Sequence, residues 1–397
     1  MSFSVALSGL NSASTDLRVT SNNIANANTT AFKSSRAEFA DVFTGDAIGI
    51  GAGVRLSQTR QDFAQGNIDI TERQLDLAIS GKGFFVLNDG GSRLYSRVGS
   101  FGLDPAGYVQ NAEGERLQVY EPLATGGFNQ GQLIDLRIQS ETLPPVASTL
   151  VDMNVNLPAG ATPPVVSPFT PTDSESYNHS TSTVVFDTLG VAHTATYFFA
   201  RTATGWEVST TIDGNLNGTP QTLAFNSNGS VTTPANGVLS YPAYDPGNGA
   251  VPLTIDLDMS RSTQFGGNFV VNSINPDGQA EGRLRNIEID QTGIVQARFS
   301  NGRSTAIGKL ALADFPNAEG LLKISDASFQ QTFNSGNPTL GEATESTFGL
   351  IQSGGLETSN VDLTEQLVRT ITSQRLFQAN ARVISTLDEI TQTIINI

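Results

Sequence analysis

Apolar residues fall into a helical rhythm only near the two ends of the chain. Phe3, Leu7, Leu10, Leu17 and Ile24 follow one another at steps of three and four, with Ser14 and Ser21 in the two remaining places. Toward the other end Leu376, Val383, Leu387, Ile390, Ile394 and Ile397 repeat the alternation, with Asn380 at one seam position. The second helix is expected to open after Ser359-Asn360, where a capping side chain precedes the stripe Leu363, Leu367, Ile371. Both stripes have polar gaps, and a lone helix of this kind is marginal in water. The simplest pairing is an antiparallel coiled coil of the two chain ends, completed by neighbouring copies, with the ends ordering on assembly.

Between the ends the rhythm changes to strands and turns. GFFVL, NDGGS, RLYSRVGSFGL, DPAG and YVQ succeed one another over residues 83–110, and Asp-Gly and Asp-Pro punctuation at such intervals signals hairpins. Residues 182–212 repeat that texture, predicting antiparallel sheets with one face buried. The run PAGATPPVVSPFTP at 158–171 is unfit for a central strand. Together with Pro144-Pro145 it marks a boundary, so the segment 148–282 reads as a domain inserted into another. The expected fold class is therefore mainly β with terminal α-helices.

Composition narrows the function classes. The chain has 397 residues, enough for several domains, and 38 acidic against 22 basic residues leave a net charge of −16. No basic run exists to neutralise a phosphate backbone, which argues against nucleic acid as a partner. Charged residues are only 15% of the chain, with Gly, Asn, Ser and Thr in their place, a balance that suits extracellular β-proteins and polymer subunits. With no cysteine there is neither a disulfide nor a thiolate metal site. The start MSFSVALSGLNSASTDLR lacks the features of a cleaved secretory signal, and no apolar run is long enough to span a membrane. The expectation is a cytoplasmic protein, or one that leaves the cell by a route needing no cleaved signal.

Candidate chemistry is sparse. GIGAGV at 49–54 lacks the Lys-Ser/Thr that a phosphate cradle needs, and a turn is the better reading. Asp213-Gly-Asn-Leu-Asn-Gly218 matches the opening of a calcium loop, but Ala224 stands where the bidentate Glu belongs, so a β-turn is expected. His179, His193 and Trp206 read as core or surface residues without nucleophile partners. No catalytic residue, cofactor or metal ligand is assigned, and an enzyme has the least support.

Five segments together resemble a family. IANANTTAFKSSRAEF, GAGVRLSQTRQDFAQGNI, LDLAISGKGFFVL, YSRVGSFGLDPAGYVQNAEGERLQVY and LETSNVDLTEQLVRTITSQRLFQANARVISTLDEITQ are similar, in this order, to the flagellar rod and hook proteins of bacteria. The likeness covers residues 1–147 and 283–397, and length and the segment FDTLGVAHTATYFFARTATGWEV resemble the hook members more than the shorter rod members. Its motif residues are Asn26, Asn28, Thr29, Phe32 and Lys33 near the start, and Ser359, Asn360, Val361 and Asp362 near the end. The family usually has Gly before the Phe-Lys pair, where Ala31 stands here.

The resemblance implies a nested axial protein. Residues 1–70 plus 356–397 would form a coiled-coil core, 71–147 plus 283–355 an inner β-rich domain, and 148–282 an outer β-domain. It implies a homopolymer, the curved hook tube, whose partners are the distal rod protein, the hook cap, the hook-filament junction proteins and the flagellar type III export apparatus. The assembly seam would comprise Phe3, Leu7, Leu10, Leu17 and Ile24 on one helix and Leu376, Asn380, Val383, Leu387, Ile390 and Ile394 on the other. Phe3 and Leu7 also fit an export signal of early substrates of that apparatus, which would place the protein outside the cell. The alternatives at this point are a distal rod or hook-filament junction subunit and, in another class, an extracellular β-domain binding module.

Overall fold

The computed structural model describes residues 2–43, 51–138, 142–325, 327–345 and 347–395. Ile397 and the first two residues of GIGAGV lie outside them. Helix α1 spans Ser2–Ala25 and helix α2 spans Leu363–Ile395, and between them the described chain is almost wholly strands and turns. The fold is mainly β with a helix at each end. Contacts divide it into two compact units: unit 1 is Met1–Gln139, Asn286–Arg298 and Ser304–Ile397, and unit 2 is Ser140–Arg285 and Phe299–Arg303.

Both helices are rich in hydroxyl residues, yet those residues do not break them. Ser12, Thr15 and Thr20 each return a hydrogen bond to the carbonyl four residues back, as do Thr370, Thr372 and Thr391 in α2. At the end of α1 the Asn26 side chain donates to the Asn22 carbonyl at 3.0 Å, beside the Asn26 backbone N–H that bonds the same oxygen at 3.1 Å. The start of α2 differs from expectation. Ser359 and Asn360 do not cap it; the Asp362 carboxylate does, accepting from the backbone N–H of Thr364 at 2.8 Å and Glu365 at 3.1 Å. A carboxylate in that place satisfies free donors and meets the positive end of the helix dipole, which a neutral cap at 359 or 360 would not.

In unit 1 strands from the first half of the chain pair with strands from the last. Ile68–Ile70 pairs antiparallel with Gly355–Glu357, and Leu77–Ser80 with Leu350–Ser353. The long strand Ser304–Asp314 binds Arg116–Pro122, Phe84–Asp89 and Thr339–Glu342, tying three separate segments into one sheet. Phe84, Tyr95, Phe315 and Phe329 form its aromatic core, with edge-on ring contacts such as Tyr95 to Phe315 at 4.8 Å. Ser35–Asp41 and Val54–Gln61 pair antiparallel, and Ala52 and Gly53, in the described part of the glycine tract, extend that ladder by bonding Val42.

Unit 2 contains two sheets that share one core. Leu150–Pro158 runs through the centre of the first, its buried residues Val151, Met153, Val155 and Leu157 alternating with half-buried ones. They meet Tyr197, Phe199, Trp206 and Val208 from the second sheet, which places Trp206 at 0% exposure. Asp213-Gly214 is the two-residue turn between Trp206–Ile212 and Asn215–Leu216, both residues in the left-handed region. The Pro-rich run leaves the sheet after Pro158, and its prolines lack the N–H groups that would continue a ladder.

Gly99, within the YSRVGSFG segment, shows how close the packing is. A Cβ there would lie 1.6 Å from the Leu77 carbonyl oxygen, while the Gly99 carbonyl accepts from Leu77 N–H at 2.9 Å. Replacing Gly99 with Ala is expected to destabilise unit 1 by about 3 kcal/mol. Urea unfolding followed by circular dichroism measures this; an unchanged midpoint would show that the strands tolerate separation.

Candidate functional site

The candidate site is the place where the two chain ends meet. α1 and α2 lie antiparallel, and three contacts one heptad apart set their register. The Asn23 amide donates to Gln366 Oε1 at 3.1 Å, the Ser373 hydroxyl donates to the Asp16 carboxylate, and Gly9 faces Asn380, whose side chain would be 2.7 Å from a Cβ at that position. On α1 the buried residues are Ala6, Ala13, Thr20 and Asn23. This is a seam of small and polar side chains, and small side chains let helix backbones approach closely.

The seam inside the chain is therefore not the expected one. At each step it runs one residue before the large apolar stripe: Phe3 and Leu7 are exposed, and Leu10, Leu17 and Ile24 are only half-buried. On α2 Asn380 and Leu387 are half-buried, while Leu376, Val383 and Ile390 are exposed. Ile394 lies within α2, but its side chain is outside the described residues. Leu363, Leu367 and Ile371 are exposed as well. The correction has a physical reason: a large residue at position 9 or 13 would push the helices apart and break the rungs that Asn23, Asp16 and Asn380 form.

At the base of the helix pair the motif residues meet in a buried ionic clamp. Lys33 and Glu357, 324 positions apart, form an ion pair of 2.6 Å at 1% and 0% side-chain exposure. Arg97 reaches the other carboxylate oxygen at 3.4 Å, and the Gly66 N–H donates to Oε1 at 2.8 Å. Lys33 also donates to the Ala64 carbonyl at 2.8 Å, and Arg97 to the Gly81 carbonyl at 2.8 Å. Burial pulls the pKa of both cations below their ordinary values, and the Glu357 carboxylate opposes that pull.

Backbone and amide bonds surround the clamp. The Ala31 N–H donates to the Glu357 carbonyl at 2.7 Å, from a left-handed residue with φ 54°, so the turn of the motif is kept although alanine occupies it. Asn360 accepts from the Ser34 N–H at 2.7 Å and donates to the Asp62 and Ala64 carbonyls. Asn23 adds a paired contact with the Ser35 backbone, accepting at 2.9 Å and donating at 2.7 Å. Phe32 is buried under the Lys323 ammonium, Thr29 bonds the Asn26 side chain, and Asn28 is exposed. Ser359 accepts from the Val361 N–H, and Val361 is half-buried. Of the motif residues, then, Phe32, Lys33 and Asn360 converge. Glu357 and Arg97 were missed as site residues; the one signal for them was a lysine flanked by Ala-Phe, a setting that calls for a buried partner.

Models of flagellar families match along the chain: flagella basal body rod protein over residues 3–33, flagellar hook protein FlgE/F/G D1 domain over 78–168, flagellar basal body protein FlaE D2 domain over 156–279, and flagellar basal body rod FlgEFG protein C-terminal over 352–397. The flagellar hook protein FlgE of Escherichia coli is 38% identical, with 100% of both chains covered. The chain belongs to the flagellar hook protein family. Other hook proteins in this family include that of Salmonella typhimurium, 37% identical over 100% of both chains, and that of Rhizobium meliloti, 34% identical over 98% of this chain and 97% of its own. The crystal structure of Helicobacter pylori flagellar hook protein FlgE2 shares the fold, with a TM-score of 0.55 at 17% identity, covering 73% of this chain and 100% of that one. Within this chain, the first and last matched segments are those that the Lys33–Glu357 clamp joins.

Removing one member of a buried ion pair leaves its partner charged and unpaired, at a cost of about 3–5 kcal/mol. Glu357→Ala, which strands both Lys33 and Arg97, is expected to lower the stability of unit 1 by at least about 3 kcal/mol in urea unfolding. The double replacement Lys33→Met with Glu357→Leu should recover only the part of that loss that the stranded Lys33 causes, because Arg97 and the Gly66 N–H still lack the carboxylate. If Glu357→Ala is as stable as the parent chain, the clamp contributes nothing.

Proposed function

We propose that the chain is a structural subunit of the bacterial flagellar hook, many copies of which polymerise into a curved, flexible tube that joins rod to filament and transmits torque for swimming. Membership of the hook protein family over the full length carries this reading. The exposed apolar faces of α1 and α2 support it, because a helix pair whose internal seam is polar still has large side chains to bury. In a helical polymer each copy presents different surfaces to successive neighbours, and the contact never closes on itself.

The division of labour we propose follows the chain. Residues 1–70 with 356–397 form the helical core of the tube wall, 71–147 with 283–355 the inner β-rich domain, and 148–282 the outer domain. In the core, the stripe Phe3, Leu7, Leu10, Leu17 and Ile24 and the positions Leu376, Val383, Leu387, Ile390 and Ile394 meet neighbouring copies, while Asn380 stays on the seam within the chain. The protein would act outside the cell, exported unfolded by the flagellar type III apparatus, with Phe3 and Leu7 in the first two turns of α1 as the export signal. The distal rod protein, hook cap and hook-filament junction proteins would be its partners at the ends of the tube.

Electron microscopy of the concentrated, purified protein tests the reading. Curved tubes are expected, and straight tubes or persistent monomers would contradict it. Replacing Leu376 and Val383 by Ser should raise the critical concentration for tube formation by about tenfold or more, at more than about 1 kcal/mol for each interface side chain lost. Circular dichroism and urea midpoint of the monomer should stay unchanged. Equal loss of monomer stability would place those residues in the fold of the chain itself.

A further inference from the structure

One end of unit 2 is organised around a histidine that has a carboxylate at each ring nitrogen. His193 lies near the start of Ala192–Arg201 and is 7% exposed. Its Nδ1 is 2.6 Å from Asp213 Oδ2 and its Nε2 is 3.3 Å from Asp187 Oδ2. Only the imidazolium has a proton on both nitrogens; either neutral tautomer would turn a lone pair toward a carboxylate.

Each carboxylate in turn fixes a loop. Asp187, fully buried, accepts from the backbone N–H groups of Leu189 at 2.9 Å and Val191 at 2.8 Å, and its other oxygen accepts from the Asn248 side chain at 2.5 Å. Asp213, at the left-handed turn after Trp206–Ile212, accepts from the Thr194 N–H at 2.8 Å. Asn248 belongs to the loop that also donates the Val251 N–H to the Thr188 hydroxyl at 3.1 Å. From that loop Tyr244 approaches the imidazole edge-on at 6.4 Å, and Asp245 turns its carboxylate to the Gly247 N–H. Asp187 and Asp213 are thus the charged groups that face His193 from the elements packed around it. The loops they hold present Leu189, Val191 and Val251 to solvent.

We propose that His193 is a proton-operated latch that fixes the turn 187–191, the turn 213–214 and the loop 244–253 against one another, and that loss of the imidazolium proton releases them.

Electrostatics gives the direction. Burial pulls the His193 pKa down, but the hydrogen bonds and charges of Asp213 and Asp187 outweigh it, and the group ends above the ordinary histidine value of about 6.5. Burial pushes the two carboxyls up, but their hydrogen bonds, to Asn248, Val191, His193 and Leu189 for Asp187 and to His193 and Thr194 for Asp213, carry both below the usual carboxylate range. The histidine contribution to stability is complete below pH 6.5 and is lost as pH rises through the raised pKa. The carboxylate contributions are present above pH 3.8 and are lost as pH falls through their lowered values. The latch is therefore closed in mildly acidic medium and weakens as pH rises from 6.5 through the raised His193 value.

The chain has only two histidines, and the other is its internal control: His179 stacks on Phe269 at 4.5 Å, and burial lowers its pKa. Nuclear magnetic resonance of the full chain with labelled histidine, assigned with His179→Gln, should show His193 titrating above pH 6.5 and His179 below it. Hydrogen exchange of peptides covering 187–193 and 244–253, corrected for the intrinsic base-catalysed rate, should rise between pH 6.5 and the His193 midpoint, by at most about tenfold per pH unit for one proton released, and level off above that midpoint. Asp213→Asn should lower that midpoint and speed loop exchange at pH 6, and His193→Gln should remove the pH dependence. The proposal is overturned if the His193 ring is neutral at pH 6, or if loop exchange follows the intrinsic rate from pH 5 to 9. It is also overturned if Asp213→Asn leaves the midpoint where it was.

Discussion

Glu357 is an acid with no access to water, held between a lysine from the first part of the chain and an arginine from the β-rich unit. A buried carboxylate tolerates ionisation only when charged or N–H partners replace its hydration, and here Lys33, Arg97 and the Gly66 N–H do so together. That requirement joins segments that the sequence separates widely. Once Lys33 is fixed, Ala31 and Ser34 are placed to bond Glu357 and Asn360 through backbone and amide groups. α1 ends and α2 begins beside that junction, and Asn23 with Gln366 forms the first rung of the pair just above it. The antiparallel register of the helices thus starts from an electrostatic constraint at their base.

The helix pair divides its side chains by size. Small and polar ones occupy the internal seam, and large apolar ones lie on faces that the chain leaves open. A conventional pair would bury the large ones internally and be stable alone, with nothing left for neighbours. The opposite arrangement gives a weaker isolated pair with apolar surface left exposed, which under the proposed assembly other copies would cover. The internal rungs then set register without competing for that surface. In the proposed tube this would separate two demands: polar rungs define the subunit, and the apolar faces join it to its neighbours.

Much of this was legible in the sequence because it rests on periodicity and turn chemistry. Period-four-and-three spacing locates both helices, Asp-Gly and Asp-Pro pairs locate hairpins, and the Pro-rich run locates an exit from a sheet. The face of the helix pair was not legible, since periodicity weighs positions by apolar bulk and Ala6, Gly9, Ala13 and Thr20 have little of it. Nor was the cap of α2: Ser359, Asn360 and Asp362 are all competent N-caps, and only the clamp, which claims Asn360 for Ser34, Asp62 and Ala64, leaves Asp362 for the helix. Glu357 reads as one more surface acid until Lys33 and Arg97 are seen beside it. Ala31 keeps a turn usually given to glycine because the backbone bond to Glu357 holds it there.

The separation of polar and apolar seams is tested most directly by electron cryomicroscopy of the assembled tube at side-chain resolution. The expected map has the Asn23–Gln366 and Asp16–Ser373 rungs within every chain, and Leu376, Val383 and Ile390 buried against another copy. Rungs formed between chains, or those three side chains left in solvent, would contradict it.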